Sequence, residues 1–191
     1  GLCWLLTRVR LAENANLKIR QYFAGVGNHR LETHVLLAGA HSRADLLGAS
    51  IAGEGCRLDQ QFTVEHKIRD ATSEQRFHCV GLARSQSNFN GRIHIHPGAK
   101  QTLAELNNRN LALAADAQLN TKPEMEIYND DVRGAHRATN GQLDADALFY
   151  SRSRGIPETM ARRLLTAGFL KQCVEGPSAE AAFSAIEKLI A

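Results

Sequence analysis

The chain has 191 residues, 43% of them hydrophobic, enough for one substantial core or one core with a small appended subdomain. Its 23 Lys and Arg against 20 Asp and Glu leave a formal charge of +3, short of the clustered basicity of a nucleic-acid footprint, and 6% aromatic residues supply few stacking platforms. No run approaches the roughly 20 apolar residues of a membrane span.

The opening GLCWLLTRVRLAEN is interrupted by Arg8 and Arg10 and has neither a signal-peptide core nor a small-residue cleavage site. The reading is a cytoplasmic protein that binds neither nucleic acid nor membrane. The chain starts abruptly in patterned sequence, which suggests a piece of a longer protein, truncated at its N-terminal side. Cys3, Cys56, Cys79 and Cys173 are scattered without a C-x-x-C pair, so free thiols are expected rather than a zinc site or disulfide framework. Cys79 follows His78, but neighbours on a strand point to opposite faces and cannot act as a nucleophile–base pair.

From about Leu5 to Gly141, short apolar runs alternate with Gly, Asn, Asp or Pro: LKIRQYF, HVLLAGA, FTVEHKI, RFHCVGL, GRIHIHP, LALAADA and MEIYNDD. Each reads as a strand of a few residues. A recurrent corner, a turn-prone residue followed by a small Ala, closes several of them: Asn14-Ala15-Asn16, Gly39-Ala40-His41, Gly98-Ala99-Lys100 and Asp116-Ala117-Gln118. Repeated corners suggest stacked coils of short strands, a β-helix, although the irregular spacing leaves a sandwich open. Within GRIHIHP, His94 and His96 share one strand face with Arg92 while Ile93 and Ile95 point into the core. Two imidazoles could bridge a metal, but no third ligand is identifiable and the adjacent cation is unhelpful, so a solvated strand face is the default.

After Gly141 the pattern turns helical. Asp144 is placed to cap a helix that Gly155 ends, and Pro157 opens the next at its first position. In that second helix Met160, Leu164, Leu165 and Phe169 fall on one face. Ser178 is placed to cap a third, whose apolar stripe is Phe183, Ile186, Leu189 and Ile190. Arg152, Arg154, Arg162 and Arg163 crowd the first two helices and read either as solvated charge or as a surface for an acidic partner. No Walker A loop, G-x-S-x-G elbow, H-E-x-x-H or dinucleotide fingerprint is present.

The stretch from Phe89 to about Leu165, with the motifs NTKPEMEIYNDDV, HRATNGQLD and FYSRSRGI, resembles the SufB/SufD family of iron–sulfur cluster assembly proteins. Arg137 after the motif histidine and the GQLD of Gly141–Asp144 resemble the SufD side of that family. Residues 1–88 fit only loosely. The resemblance implies a mainly β protein: a right-handed parallel β-helix over residues 1–142 and a small α-helical subdomain over 143–191. It also implies a non-enzymatic scaffold that pairs with a SufB-type paralogue, docks the SufC ATPase and is moved by that partner's ATP hydrolysis. Residues assigned by the resemblance are Phe149, Arg152, Arg154, Met160 and Leu164 for the SufC contact, and Asp131, Arg133 and His136 for the SufB-type interface. His136 is the candidate metal ligand for iron or a transient iron–sulfur cluster shared with the partner. The family usually has a cysteine two residues before this histidine, and here the position is Gly134, which offers no thiolate. Cys56 and Cys79 could substitute only if the fold carries them to the interface. Asp130 and Asp131 read as turn residues. A homodimer is the expected state if two copies of this chain pair in place of the heterodimer. A rival class, a divalent-metal-dependent β-helix or cupin-like enzyme, requires His94, His96 and His136 to converge on one ion.

Overall fold

Among the described residues, 1–190, the computed structural model holds ten strands followed by three helices. The strands are β1 (Leu2–Leu11), β2 (Asn16–Gly25), β3 (Asn28–Leu37), β4 (Arg43–Ala52), β5 (Arg57–His66), β6 (Thr72–Gly81), β7 (Gln86–Ile95), β8 (Thr102–Ala112), β9 (Gln118–Ile127) and β10 (Val132–Gln142). Successive strands alternate between two parallel sheets, β1-β3-β5-β7-β9 and β10-β8-β6-β4-β2. The fold is therefore a parallel β-solenoid of five coils, the β-helix expected from the corners.

The strands are 10 or 11 residues long, longer than the apolar runs suggested. In β5 the first half reads as a loop because it carries Asp59, Gln60 and Gln61, yet Gln60 points inward and accepts a hydrogen bond from Ser50 Oγ at 2.8 Å. A buried polar side chain with a partner is tolerated, and it hides a strand from hydropathy. β4 is hidden for the opposite reason: Leu46 faces the interior while Leu47, Ala49 and Ile51 are buried on the other face, so alternation disappears.

The coils turn at residues held in the left-handed region, each followed by a small inward one. Asn14, His41, Asp70 and Gln101 have φ of 58°, 56°, 60° and 56°, and they precede Ala15, Ser42, Ala71 and Thr102, the last three of which are buried. Ser42, rather than Ala40, tucks into the second of these corners. Adjacent corners are stitched together, Asn14 N donating to Ala40 O at 2.9 Å and Asp70 N to Lys100 O at 2.9 Å. At Gly39 the coils approach so closely that a Cβ would lie 1.9 Å from Glu13 N, which only glycine permits.

The interior is filled by inward residues of successive strands, with Phe62, Phe77 and Phe89 packed at ring-centroid distances of 3.9, 5.2 and 5.6 Å. Outside the second sheet lie α1 (Ala145–Ser153), α2 (Glu158–Lys171) and α3 (Ala179–Leu189). Asp144 caps α1, its side chain accepting from Asp146 N at 2.9 Å, and Gly155 with φ 84° follows the helix end. Pro157 stands one residue before α2, and Ser178 stands before α3 without a side-chain capping bond. Ala191, the last residue of the expected helical subdomain, lies outside the described residues.

The buried face of α2 is Ala161, Thr166 and Leu170. Met160 and Leu164, expected on the apolar face, are 47% and 55% exposed. The helix is rotated because sheet contacts, not its bulkiest stripe, set its seat: Leu170 joins Leu47, Ile51, Val80 and Ile186 in one buried cluster. Polar ties fix it further. Tyr22 Oη donates to Glu175 O at 2.6 Å and accepts from Glu175 N at 2.9 Å, and Arg20 bridges Asp45 at 2.7 Å and Glu175. His78 stacks on Phe169 and donates from Nδ1 to its carbonyl at 2.8 Å.

Candidate functional site

β9 and β10 are the last strands of their sheets, each paired on one side only, with β7 and β8 respectively. Register defines which side chains look into the coil. Thr102, Ala104, Leu106, Asn108 and Asn110 of β8 are buried, and they align with Val132, Gly134, His136, Ala138 and Asn140 of β10. On β9 the matching inward row is Leu119, Thr121, Pro123, Met125 and Ile127. No further coil covers these rows among the described residues, so Ile127 and His136 are exposed although they occupy core positions. Pro123 fits an edge strand, where a missing N–H breaks no ladder. The result is an open solenoid end with two unpaired parallel edges, a template for another chain.

Polar contacts hold the end in shape. Asn110 Nδ2 donates to Asn140 Oδ1 at 2.7 Å, and Asn140 Nδ2 donates across to Leu119 O at 2.8 Å. Asp131 forms the β9–β10 corner, its N–H donating to Asn129 Oδ1 at 3.0 Å and its carbonyl accepting from Gln101 N at 2.6 Å. Asp130 and Asp131 are thus turn residues. Arg133 aligns with the exposed Leu103 and projects from the outer face, opposite to His136, so the three residues assigned to this interface share a coil but not a face.

His94 and His96 do share a face, the outer one of the first sheet, while Ile93 and Ile95 are fully buried. His94 Nδ1 lies 2.9 Å from a Glu126 oxygen, and His96 Nε2 lies 3.0 Å from Glu65 Oε2, whose other oxygen is 2.7 Å from His34 Nε2. Burial pushes the Glu65 carboxyl up, but the hydrogen bonds from His96 and His34 outweigh it and hold it below its ordinary range. Arg92 pairs with Glu126 at 2.8 Å and lowers that carboxyl likewise. His34, Glu65 and Glu126 are far apart in sequence from the histidines they meet, and only strand register reveals them. His136 sits on the other sheet. Among the described residues no three His, Cys, Asp or Glu side chains are placed to hold a metal ion, which overturns the three-histidine enzyme.

In the tail, Phe149, Tyr150, Met160 and Leu164 form an exposed apolar set, Phe149 at 73% and Tyr150 at 61%. Arg154 lies over the Tyr150 ring at 5.3 Å, and Arg152 pairs with Glu158 at 3.5 Å. No residue of α1 is buried, so its apolar side chains are unspent by the fold.

The chain matches the family model described as "SUF system FeS cluster assembly, SufBD core domain" over residues 5–169. The chain belongs to the SufBD family. It is 32% identical over 167 residues to the Escherichia coli (strain K12) iron–sulfur cluster assembly protein SufD, covering 86% of this chain and 39% of that protein. A Synechocystis SufBD family protein is 29% identical over 199 residues, covering 90% of this chain and 44% of the relative. One from Mycobacterium leprae is 34% identical over 153 residues, covering 76% and 39%. The chain therefore spans less than half the length of these relatives. The match begins at residue 5, so residues 5–88, in a stretch that resembled the family only loosely by motif, belong to the same domain.

In this SufBD chain the position two residues before His136 is thiol-free, and only flexible side-chain ends crowd it. A Cβ on Gly134 would meet Met125 Sδ at 2.8 Å and Ile127 Cδ1 at 3.2 Å. Cys56 and Cys79 do not replace the missing thiol, because both are buried inside earlier coils. Cys79 donates to Ser87 Oγ at 3.3 Å, and burial pushes its thiol up to about 11, which makes it inert at neutral pH. Cys173, just past the end of α2, is likewise pushed up to about 11 by burial. No described helix is long and apolar enough to cross a membrane.

Proposed function

We propose that the chain is a SufD-type scaffold subunit of iron–sulfur cluster assembly, working in the cytoplasm without catalysing a reaction itself. Its open β9/β10 end pairs with a SufB-type paralogue, and its helical tail docks the SufC ATPase. The observation that carries this reading is the coincidence of two uncovered surfaces in a family member: the mixed apolar and polar inward rows at the last coil, and Phe149, Tyr150, Met160 and Leu164 beside Arg152 and Arg154. Apolar anchors next to cations are the usual make-up of an interface core.

The cluster or its iron is cargo rather than a resident cofactor. His136 lies at the exposed edge with an imidazole able to donate to iron, whereas Gly134 and the adjacent Met125 provide no thiolate. The thiolates then come from the partner, and this chain supplies at most one nitrogen ligand. When the partner is missing, two copies of the chain pair through the same edges.

Light scattering after size-exclusion chromatography tests the docking half. The chain mixed with SufC of the same organism should elute as a complex, and Arg152→Glu with Arg154→Glu should abolish it. Unchanged complex formation by that double variant would remove those arginines from the contact. For the cargo, anaerobic iron and sulfide reconstitution of the paired complex should lose cluster absorbance with His136→Ala. Full absorbance would show that His136 is not a ligand.

A further inference from the structure

The tail holds a cavity that the fold leaves unfilled. It measures about 400 Å³ and lies between α2, the end of α3 and two solenoid corners, with Leu82, Leu113 and Leu189 as an apolar floor and Met160, Thr159 and Arg163 around its mouth. That volume falls in the range of pockets that take a ligand or anchor side chain, about 300–1,000 Å³. Two groups in the lining lack the partners they would need. Thr166 is 1% exposed and its Oγ1 makes no hydrogen bond, a costly state for a buried hydroxyl. Arg163 has no carboxylate among the described residues, whereas its neighbour Arg162 is paired with Glu158 at 3.1 Å.

The cavity is also continuous with the exposed apolar set, because Met160 belongs to both. A docking partner that covers Met160 therefore reaches the cavity's mouth. We infer that this cavity is the anchor pocket of the tail's docking surface, and that its occupant is an acidic partner segment whose apolar side chain enters the cavity while a neighbouring carboxylate meets Arg163. The inference rests on the tail-docking reading above. Its physical content is that interface energy concentrates where an apolar side chain fills a pocket, and that a rim guanidinium with no carboxylate among the described residues selects an acidic neighbour.

Thr159 is exposed at the mouth and Arg163 is half-exposed, so both can be changed without touching the buried face of α2. Binding of the full chain to the SufC-type ATPase should be measured by calorimetry for the wild type, Thr159→Trp, Arg163→Glu and Phe149→Asp, with melting temperature as the folding control. Thr159→Trp closes the mouth and should weaken binding at least tenfold, Arg163→Glu should weaken it at least tenfold at low salt, and wild-type affinity should fall with added salt more steeply than that of Arg163→Glu. If Phe149→Asp abolishes binding while Thr159→Trp and Arg163→Glu bind like wild type, the docking reading stands and the pocket assignment is overturned. If the wild type itself does not bind, both are overturned together.

Discussion

The third and fifth coils of the solenoid are built alike and fare differently. Inward Leu58, Gln60, Phe62, Val64 and His66 of β5 are all buried. The equivalent Leu119, Thr121, Pro123, Met125 and Ile127 of β9 are not. Both strands carry the same alternation and the same parallel register. In a stacked fold burial is conferred by the neighbouring coil and not by the strand's own sequence, so the last coil leaves core-like residues uncovered. The structural load lies in the middle, and the less covered inward residues lie at the end.

The sharpest way to break this comparison is to truncate matched positions. Phe62→Ala removes the ring that packs on both Phe77 and Phe89 and should cost about 3–5 kcal/mol in urea unfolding. Met125→Ala, at the open end, should cost less than about 1 kcal/mol in the isolated chain. Equal losses would mean that the last coil is as tightly packed as the third.

A second contrast uses two glycines. Gly39→Ala drives a methyl to 1.9 Å from backbone at Glu13, and backbone cannot step aside, so about 3 kcal/mol or more is expected. Gly134→Ala meets only the far ends of Met125 and Ile127. Its stability should change by under about 1 kcal/mol, because the side chains yield and alanine reduces backbone entropy.

The acid response should also originate in the middle. His66 is fully buried, its Nε2 is 2.9 Å from Ser73 Oγ, its Nδ1 has no partner, and desolvation lowers it to about 4. Above pH 6.5 the imidazole is neutral folded or unfolded and contributes no pH dependence. As pH falls from 6.5 towards 4 the unfolded chain takes up a proton that the folded chain refuses, so stability drops by about 3 kcal/mol in total. Chemical denaturation between pH 7 and 4.5 should show this decline in the wild type and a flatter curve in His66→Leu. A wild-type curve already flat over that interval would contradict the buried neutral state. The smallest expected effect is on His136→Ala, within about 0.5 kcal/mol of wild type in stability because the side chain is exposed.

Much of the fold was legible in the sequence because its signals are local. Corners need a left-handed residue beside a small one, Asp144 caps the amides of Asp146 and Ala147, and Ile93 and Ile95 alternate with His94 and His96. What escaped depends on neighbours distant in sequence. The orientation of α2 is set by Leu47, Ile51 and Val80 on the sheet, and Met160 and Leu164 consequently face outward. The partnership of Glu65 with His34 and His96, and of Glu126 with Arg92 and His94, appears only once the register is known. The exposure of His136 could not be read from β10, whose pattern would serve equally well in the centre of a sheet.

The central claim, that the last coil and the tail are binding surfaces of one scaffold, is tested most directly by light scattering after size-exclusion chromatography. The chain should be mixed with the SufB-type and SufC-type proteins of its own organism, once as wild type and once as Ala138→Asp, which buries a charge in the inward row of β10. The account predicts a ternary complex for the wild type, and for Ala138→Asp a chain that keeps the ATPase but loses the paralogue. A wild-type chain that elutes alone beside both proteins would contradict it.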